Sequence, residues 1–164
     1  MDKQHWIGKP LTAVGRVADM LWLAIGQKTI AKSFITEEKR MVSELAIHFQ
    51  CQWRFVQKRK ILVASHDLYE PYDPQLLNDE SWDWDIVARN KAQSSQFDVC
   101  IADLNQNLLP LIVIDFVIHD TGDLHITFDK DIHLDTFITS SRKDEFYRFI
   151  DFNTGEHFVI FDEI

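Results

Sequence analysis

The chain has 164 residues, 46 % of them hydrophobic, enough for one packed core without disulfide or metal staples. A formal charge of −9 disfavours non-specific binding to nucleic-acid phosphates, yet leaves room for a basic partner. Twelve Phe, five Trp and three Tyr exclude a disordered chain.

We read residues 1–164 as a single domain. The opening residues, MDKQHWIGKP, hold no apolar signal core. The longest apolar run, LLPLIVI at 108–114, is far short of the ~20 residues of a membrane span. The expectation is a cytoplasmic protein with no membrane or nucleic-acid partner, whose Cys51 and Cys100 stay reduced.

In chain order, PLTAVGRVADMLWLAIGQ is rich in β-branched and large apolar residues and interrupted by Gly15 and Gly26. It predicts two strands, near 11–18 and 20–27, turning at Ala18-Asp19, with a single amphipathic helix over 11–25 as the alternative. Residues 28–42 form a charged connector with a helical turn at TEEKR. In ELAIHFQCQWRF, Leu45, Ile47, Phe49, Cys51, Trp53 and Phe55 fall at strict period two. That is the pattern of one strand with one buried face. Cys51 then points into the core and His48 away from it, so the two cannot share a metal ion.

A second strand, KILVASH, follows the basic turn QKRK. Residues 66–85, HDLYEPYDPQLLNDESWDWD, form a loop too long for an ordinary connection. SSQFDVCIADLNQN predicts a helix: Ser95 and Asp98 fit a capping box, and Phe97, Cys100, Ile101 and Leu104 share a face. LIVIDFVIHD, LHITF, IHLDTFIT, FYRFIDF and HFVIFDE read as strands joined by short turns, which implies antiparallel hairpins.

The fold class is therefore α+β. It is predominantly antiparallel β, a sandwich or a partly open barrel of eight to nine strands, with one main helix near 95–106. The expected core includes Leu45, Ile47, Phe49, Trp53, Ile114, Phe116, Ile126, Phe128, Phe149 and Phe158.

No phosphate loop, G-x-S-x-G elbow, H-E-x-x-H helix or zinc-knuckle spacing occurs. No motif therefore fixes a reaction or a cofactor, and a binding protein is favoured over an enzyme, with a metal-dependent enzyme built on strand histidines kept as an alternative. Three candidate surfaces stand out. In the loop, Asp67, Glu70, Asp73, Asp79, Glu80, Asp83 and Asp85 interleave with Tyr69, Tyr72, Trp82 and Trp84. Carboxylates and rings together suit a protein partner with a basic surface. A polar strand face carrying Arg16, His48, Gln50 and Arg54, with Arg148 as a further fork, suits an anionic small ligand. His119, His125 and His133, near Asp115 and Asp135, are metal-capable if strand register brings them together. The first reading, an interaction protein using the loop, is favoured because no residue set has the spacing of an enzyme.

The segments GRVADMLWLAIG, ELAIHFQCQWRF and GDLHITFDKDIHLDTFITSSRKDEFYRF together resemble a group of small uncharacterised bacterial proteins. Those proteins carry G-R-x-x-D-M-x-W, L-H-x-Q-C-x-W-R and E-x-W-R-like segments. Gly15, Arg16, Asp19, Met20 and Trp22, then His48, Gln50, Cys51, Trp53 and Arg54, carry the likeness. Tyr147 stands where a tryptophan is expected. The resemblance implies a cytoplasmic accessory protein and supplies no activity, cofactor or catalytic residue.

Overall fold

The computed structural model describes residues 2–32, 39–85, 93–142 and 144–160. Ten strands form one antiparallel sheet: β1 Pro10–Val17, β2 Met20–Lys32, β3 Lys39–Phe49, β4 Gln52–Gln57, β5 Lys60–Ala64, β6 Leu111–Ile118, β7 Leu124–Phe128, β8 Ile132–Phe137, β9 Tyr147–Asp151 and β10 Glu156–Ile160. Their order is β10-β9-β3-β2-β1-β6-β7-β8-β4-β5, so the sheet is open, with β10 and β5 at its edges. The α+β class and antiparallel pairing agree with the sequence reading, and the strand count exceeds it by one.

The sheet curls so that its two arms share one core. Leu23, Ile47 and Phe149 from one arm cluster with Phe55, Ile126 and Leu134 from the other. Phe116 on β6 and Phe149 on β9 lie 5.6 Å apart although three strands, β3, β2 and β1, separate them through the sheet. The joint between the arms is narrow: β1 pairs β6 only at Pro10–Ile112 and Leu11–Leu111. Beyond it, Asn105 substitutes for a strand. Its amide accepts from Val14 N at 2.9 Å and donates to Val14 O at 2.7 Å, so these backbone groups stay paired where β6 departs.

Asn105 lies just past helix α1, Gln96–Asp103, which continues as a π-helical turn over Leu104–Leu108. Ser95 caps α1 by accepting from Asp98 N at 3.1 Å. Phe97, Ile101 and Leu104 are buried, with the Phe97 ring 5.7 Å from that of Trp53. Each such side chain contributes about 1.5–3 kcal/mol on burial, and together they hold the helix on the sheet. Among the described residues, no helix is long and apolar enough to cross a membrane.

Turn chemistry follows the expected hairpins. Lys130 and Asp131 both take positive φ between β7 and β8, the geometry of a two-residue I′ turn that matches strand twist. Gly26 sits at the register break between β2 and β3 with φ +82°, and an added Cβ would meet the Glu44 carboxylate at 2.1 Å. A side chain there would displace Glu44, which accepts from Lys9 Nζ at 2.8 Å and from Gln27 N at 3.0 Å.

Several expectations need correction. Residues 45–55 are two strands on different arms: β3 pairs with β2 and β9, while β4 pairs with β8 and β5. The chain turns at Gln50–Cys51, where both N–H groups donate to Phe146 O, at 2.8 and 3.2 Å. Leu45, Ile47, Phe49, Trp53 and Phe55 are buried as expected, but Cys51 is only partly so. Ile114 is 50 % exposed because the register shift between Val113 and Asp115 turns it outward. Phe158 is 39 % exposed because no strand covers β10. The turn expected at TEEKR begins outside the described residues, and its Lys39 and Arg40 belong to β3.

Candidate functional site

The break between β3 and β4 opens a cavity of about 460 Å³. Its walls come from five places: the β1–β2 turn (Asp19), the break itself (Gln50, Cys51), the single-turn helix after β5 (His66, Tyr69), the chain leaving β8 (Thr139, Ser140), and the chain entering β9 (Asp144, Glu145). A period-two chain can make this hollow because the break moves β3 and β4 to different arms without changing which side chains face inward. No lysine or arginine lines the cavity among the described residues. The side chains of Asp19, Gln50, Gln52 and Asp144 make no hydrogen bond or ion pair among those residues. Glu145 accepts from Arg148 Nη2 at 2.5 Å. Burial pushes the Cys51 thiol up to about 12, so Cys51 is a neutral wall and not a nucleophile. The hollow thus presents carboxylates, amides and one tyrosine ring, a set suited to hydrogen-bond donors carrying positive charge.

The acidic loop adjoins this cavity through His66 and Tyr69, and it is folded. Tyr72 N donates to Ser94 O at 2.9 Å and Gln96 N to Glu70 O at 2.8 Å, tying it to the start of α1. Four of its carboxylates accept from nearby backbone: Asp67 from Ala64 N, Asp73 from Gln75 N, Asp79 from Ser81 N and Asp83 from Asp85 N. Bonds from the Ser81 hydroxyl and N–H hold the Asp79 carboxyl below its ordinary range. Glu70, Asp79, Glu80, Asp83 and Asp85 are exposed.

The loop's aromatics divide into two kinds. Trp84 packs against the core and meets Tyr69 edge to face at 5.2 Å. Its carbonyl accepts from Arg16 Nη2 at 3.0 Å. It therefore anchors the loop. Tyr69 at 45 % exposure and Tyr72 at 37 % face solvent and offer rings to a partner.

The four residues considered for an anion site do not meet. Arg16 clamps Asp98 of α1, with Nε and Nη2 on the two carboxylate oxygens at 2.8 and 3.1 Å. His48 lies between Trp22 and Arg148 across neighbouring strands. Burial, then the Arg148 guanidinium, hold its imidazole below the ordinary value. Gln50 lines the cavity, and Arg54 lies across β4–β8 from Asp135, with its guanidinium over the Phe137 ring. Residues from the three segments quoted above do align: Gly15, Trp22, His48 and Arg148 form one register row over β1, β2, β3 and β9. An added Cβ at Gly15 would lie 2.3 Å from the Trp22 ring, so the row needs glycine there.

Two of the three strand histidines do converge. The His125 and His133 rings are 5.1 Å apart, and Asp135, two residues along β8 from His133, pairs directly across from His125. Asp135 accepts from His125 Nδ1 at 2.7 Å and from Arg54 Nε at 3.3 Å, while His133 Nε2 is 3.5 Å away. Burial raises the Asp135 carboxyl, but the bonds from His125 and Arg54 outweigh it and hold the pKa low. The carboxylate is thus spent on orienting these side chains. Among the described residues, no three His, Cys, Asp or Glu side chains are placed to hold one metal ion. His119 lies at the turn after β6, where its N–H and carbonyl close the loop with Asp123 and Gly122.

Sequence reasoning missed Asp19, Asp144 and Glu145 as site residues. Each sits at a strand end, and only the return of β9 beside β3 brings them to Gln50. No local pattern marks such a meeting. No family model, curated protein or solved structure matches this chain.

Proposed function

We propose that the protein is an interaction protein that receives a basic protein partner on its acidic, aromatic loop and seats one cationic side chain of that partner in the adjoining cavity. The observation that carries this reading is the cavity's lining: Asp19, Asp144 and Glu145 beside Tyr69, with no lysine or arginine among the described residues. The exposed loop carboxylates extend the same charge outward, within reach of one another at the ~8 Å screening length of physiological salt. Arg16 and Arg54 are occupied by Asp98 and Asp135, which favours a cationic over an anionic ligand.

A defined probe tests this: an arginine-rich peptide against a neutral peptide of equal length, with binding kinetics at low and high salt. Association should slow as salt rises and slow again in a variant carrying Asp79→Asn, Glu80→Gln, Asp83→Asn and Asp85→Asn. Asparagine keeps the acceptor that closes each Asp turn, so the loop should stay folded. Asp144→Asn should instead raise the dissociation rate. Equal binding of both peptides, or binding indifferent to salt and to all five substitutions, would remove the reading.

A further inference from the structure

We propose that the cleft between the N-terminal turn and the edge strand β10 is a binding site for a small hydrophobic amine, at a different place from the acidic loop and its cavity. The turn, Lys3–His5, bridges β6 and β9. Lys3 pairs with Asp115 on β6 at 2.5 Å, and His5 Nε2 lies 3.1 Å from Asp151 on β9. Trp6 then enters the core, edge to face with Phe149 at 5.0 Å. Between this strap and β10 lies a cavity of about 540 Å³, within the range of small-molecule sites.

The cavity has an apolar wall and a charged rim. Phe158 pairs directly with Phe149, so it shares the core-facing side of the sheet, with the rings 6.4 Å apart. Yet Phe158 stays 39 % exposed, because the sheet ends at β10. An apolar body laid between Trp6 and Phe158 would cover that surface. At the rim stand Asp2, Asp151 and Glu156, with no lysine or arginine among the described lining residues. Asp2 accepts from Gln4 N, and Asp151 accepts from Asn153 N and Thr154 N beside its contact with His5. The Glu156 carboxylate has no hydrogen bond or ion pair among the described residues. Burial and the Arg148 guanidinium hold the His157 imidazole below its ordinary pKa, so it adds little positive charge at neutral pH. The cleft therefore joins aromatic faces to an unpaired carboxylate. Such a site takes a ligand with a flat apolar body and one ammonium, through ring contact and a charge-assisted hydrogen bond.

Nuclear magnetic resonance titration of the ¹⁵N-labelled full chain with tryptamine tests this, with indole-3-propionate as the charge-reversed control. Tryptamine should shift the Trp6 indole and the amides of Phe149, Glu156 and Phe158, with saturation by about 10 mM. Indole-3-propionate should bind at least about tenfold more weakly, and Glu156→Gln should weaken tryptamine by about tenfold. Phe158→Ala should weaken both ligands. If that variant disturbs β10, the Glu156→Gln comparison still decides. Absence of shifts in this cleft, equal binding of the propionate, or a Glu156→Gln variant with wild-type affinity would overturn the proposal. Shifts confined to Gln50, Tyr69 and Asp144 would also overturn it, since they would assign the amine to the other cavity.

Discussion

Arg16 was a candidate for binding an anion, and the structure gives it a different role that can be measured. Its guanidinium makes four hydrogen bonds: two to Asp98, one to Trp84 O and one to Ala18 O. It thereby fixes α1, the anchor of the acidic loop and the β1–β2 turn to one another. Arg16→Met keeps the aliphatic stem and removes all four bonds. Breaking one side of a fully buried pair costs about 3–5 kcal/mol. The Arg16 side chain is 10 % exposed, but that of Asp98 is 28 % exposed, so water recovers part of the loss. A cost of about 2–3 kcal/mol follows, which for a chain of this length lowers the melting temperature by about 4–12 °C.

Calorimetry or circular dichroism of the variant measures this directly. Asp98→Asn alone should cost less, and the double variant should cost less than the sum, with a coupling of about 1–2 kcal/mol. A ligand-binding arginine would behave in the opposite way, since its loss leaves stability intact and abolishes binding. An Arg16→Met protein that melts within about 1 °C of wild type would refute the structural role and return Arg16 to the anion reading.

Two further outcomes are expected. In a Cys100→Ser background at pH 8, Cys51 should react with a thiol reagent on the order of a thousandfold more slowly in the native than in the denatured protein, because a thiol at about 12 is almost never ionised there; equal rates would place it outside the burial described. His48 has a lowered pKa in the folded state, so the unfolded chain takes up its proton first as pH falls. Stability should therefore decline as pH drops from the ordinary histidine value of about 6.5 toward the lower folded value, and His48→Gln should flatten that slope in denaturant titrations; an unchanged slope would count against a neutral, desolvated His48.

Much of the fold was legible because its signals are local. Ser95 and the spacing of Phe97, Ile101 and Leu104 mark the helix, since a cap and a 3.6-residue stripe lie within one short window. The hairpins of the C-terminal third were legible for the same reason, as turn residues fix the pairing of adjacent strands. What failed depends on distant partners. Ile114 alternates perfectly in sequence, and a single extra residue in β6 turns it outward. Phe158 alternates correctly and does face inward, but exposure also depends on whether a further strand lies beyond it, which period two does not encode.

The break at Gln50–Cys51 shows why the site was harder to read than the fold. A strand is recognised by which face each side chain takes, and that alternation survives the break from Leu45 through Phe55. What changes is the set of strands on either side. Before the break the neighbours are β2 and β9, and after it they are β8 and β5. His48 consequently lies beside Arg148 and Arg54 beside Asp135, although the two sit six residues apart on what looks like one polar face. The Phe146 carbonyl that receives both N–H groups at the break also brings Asp144 and Glu145 to Gln50. One backbone acceptor, about a hundred residues away in sequence, thus divides one candidate surface and assembles another. A substitution that let Gln50 and Cys51 rejoin a continuous strand would have to release that acceptor, and would lose the cavity before it lost the core.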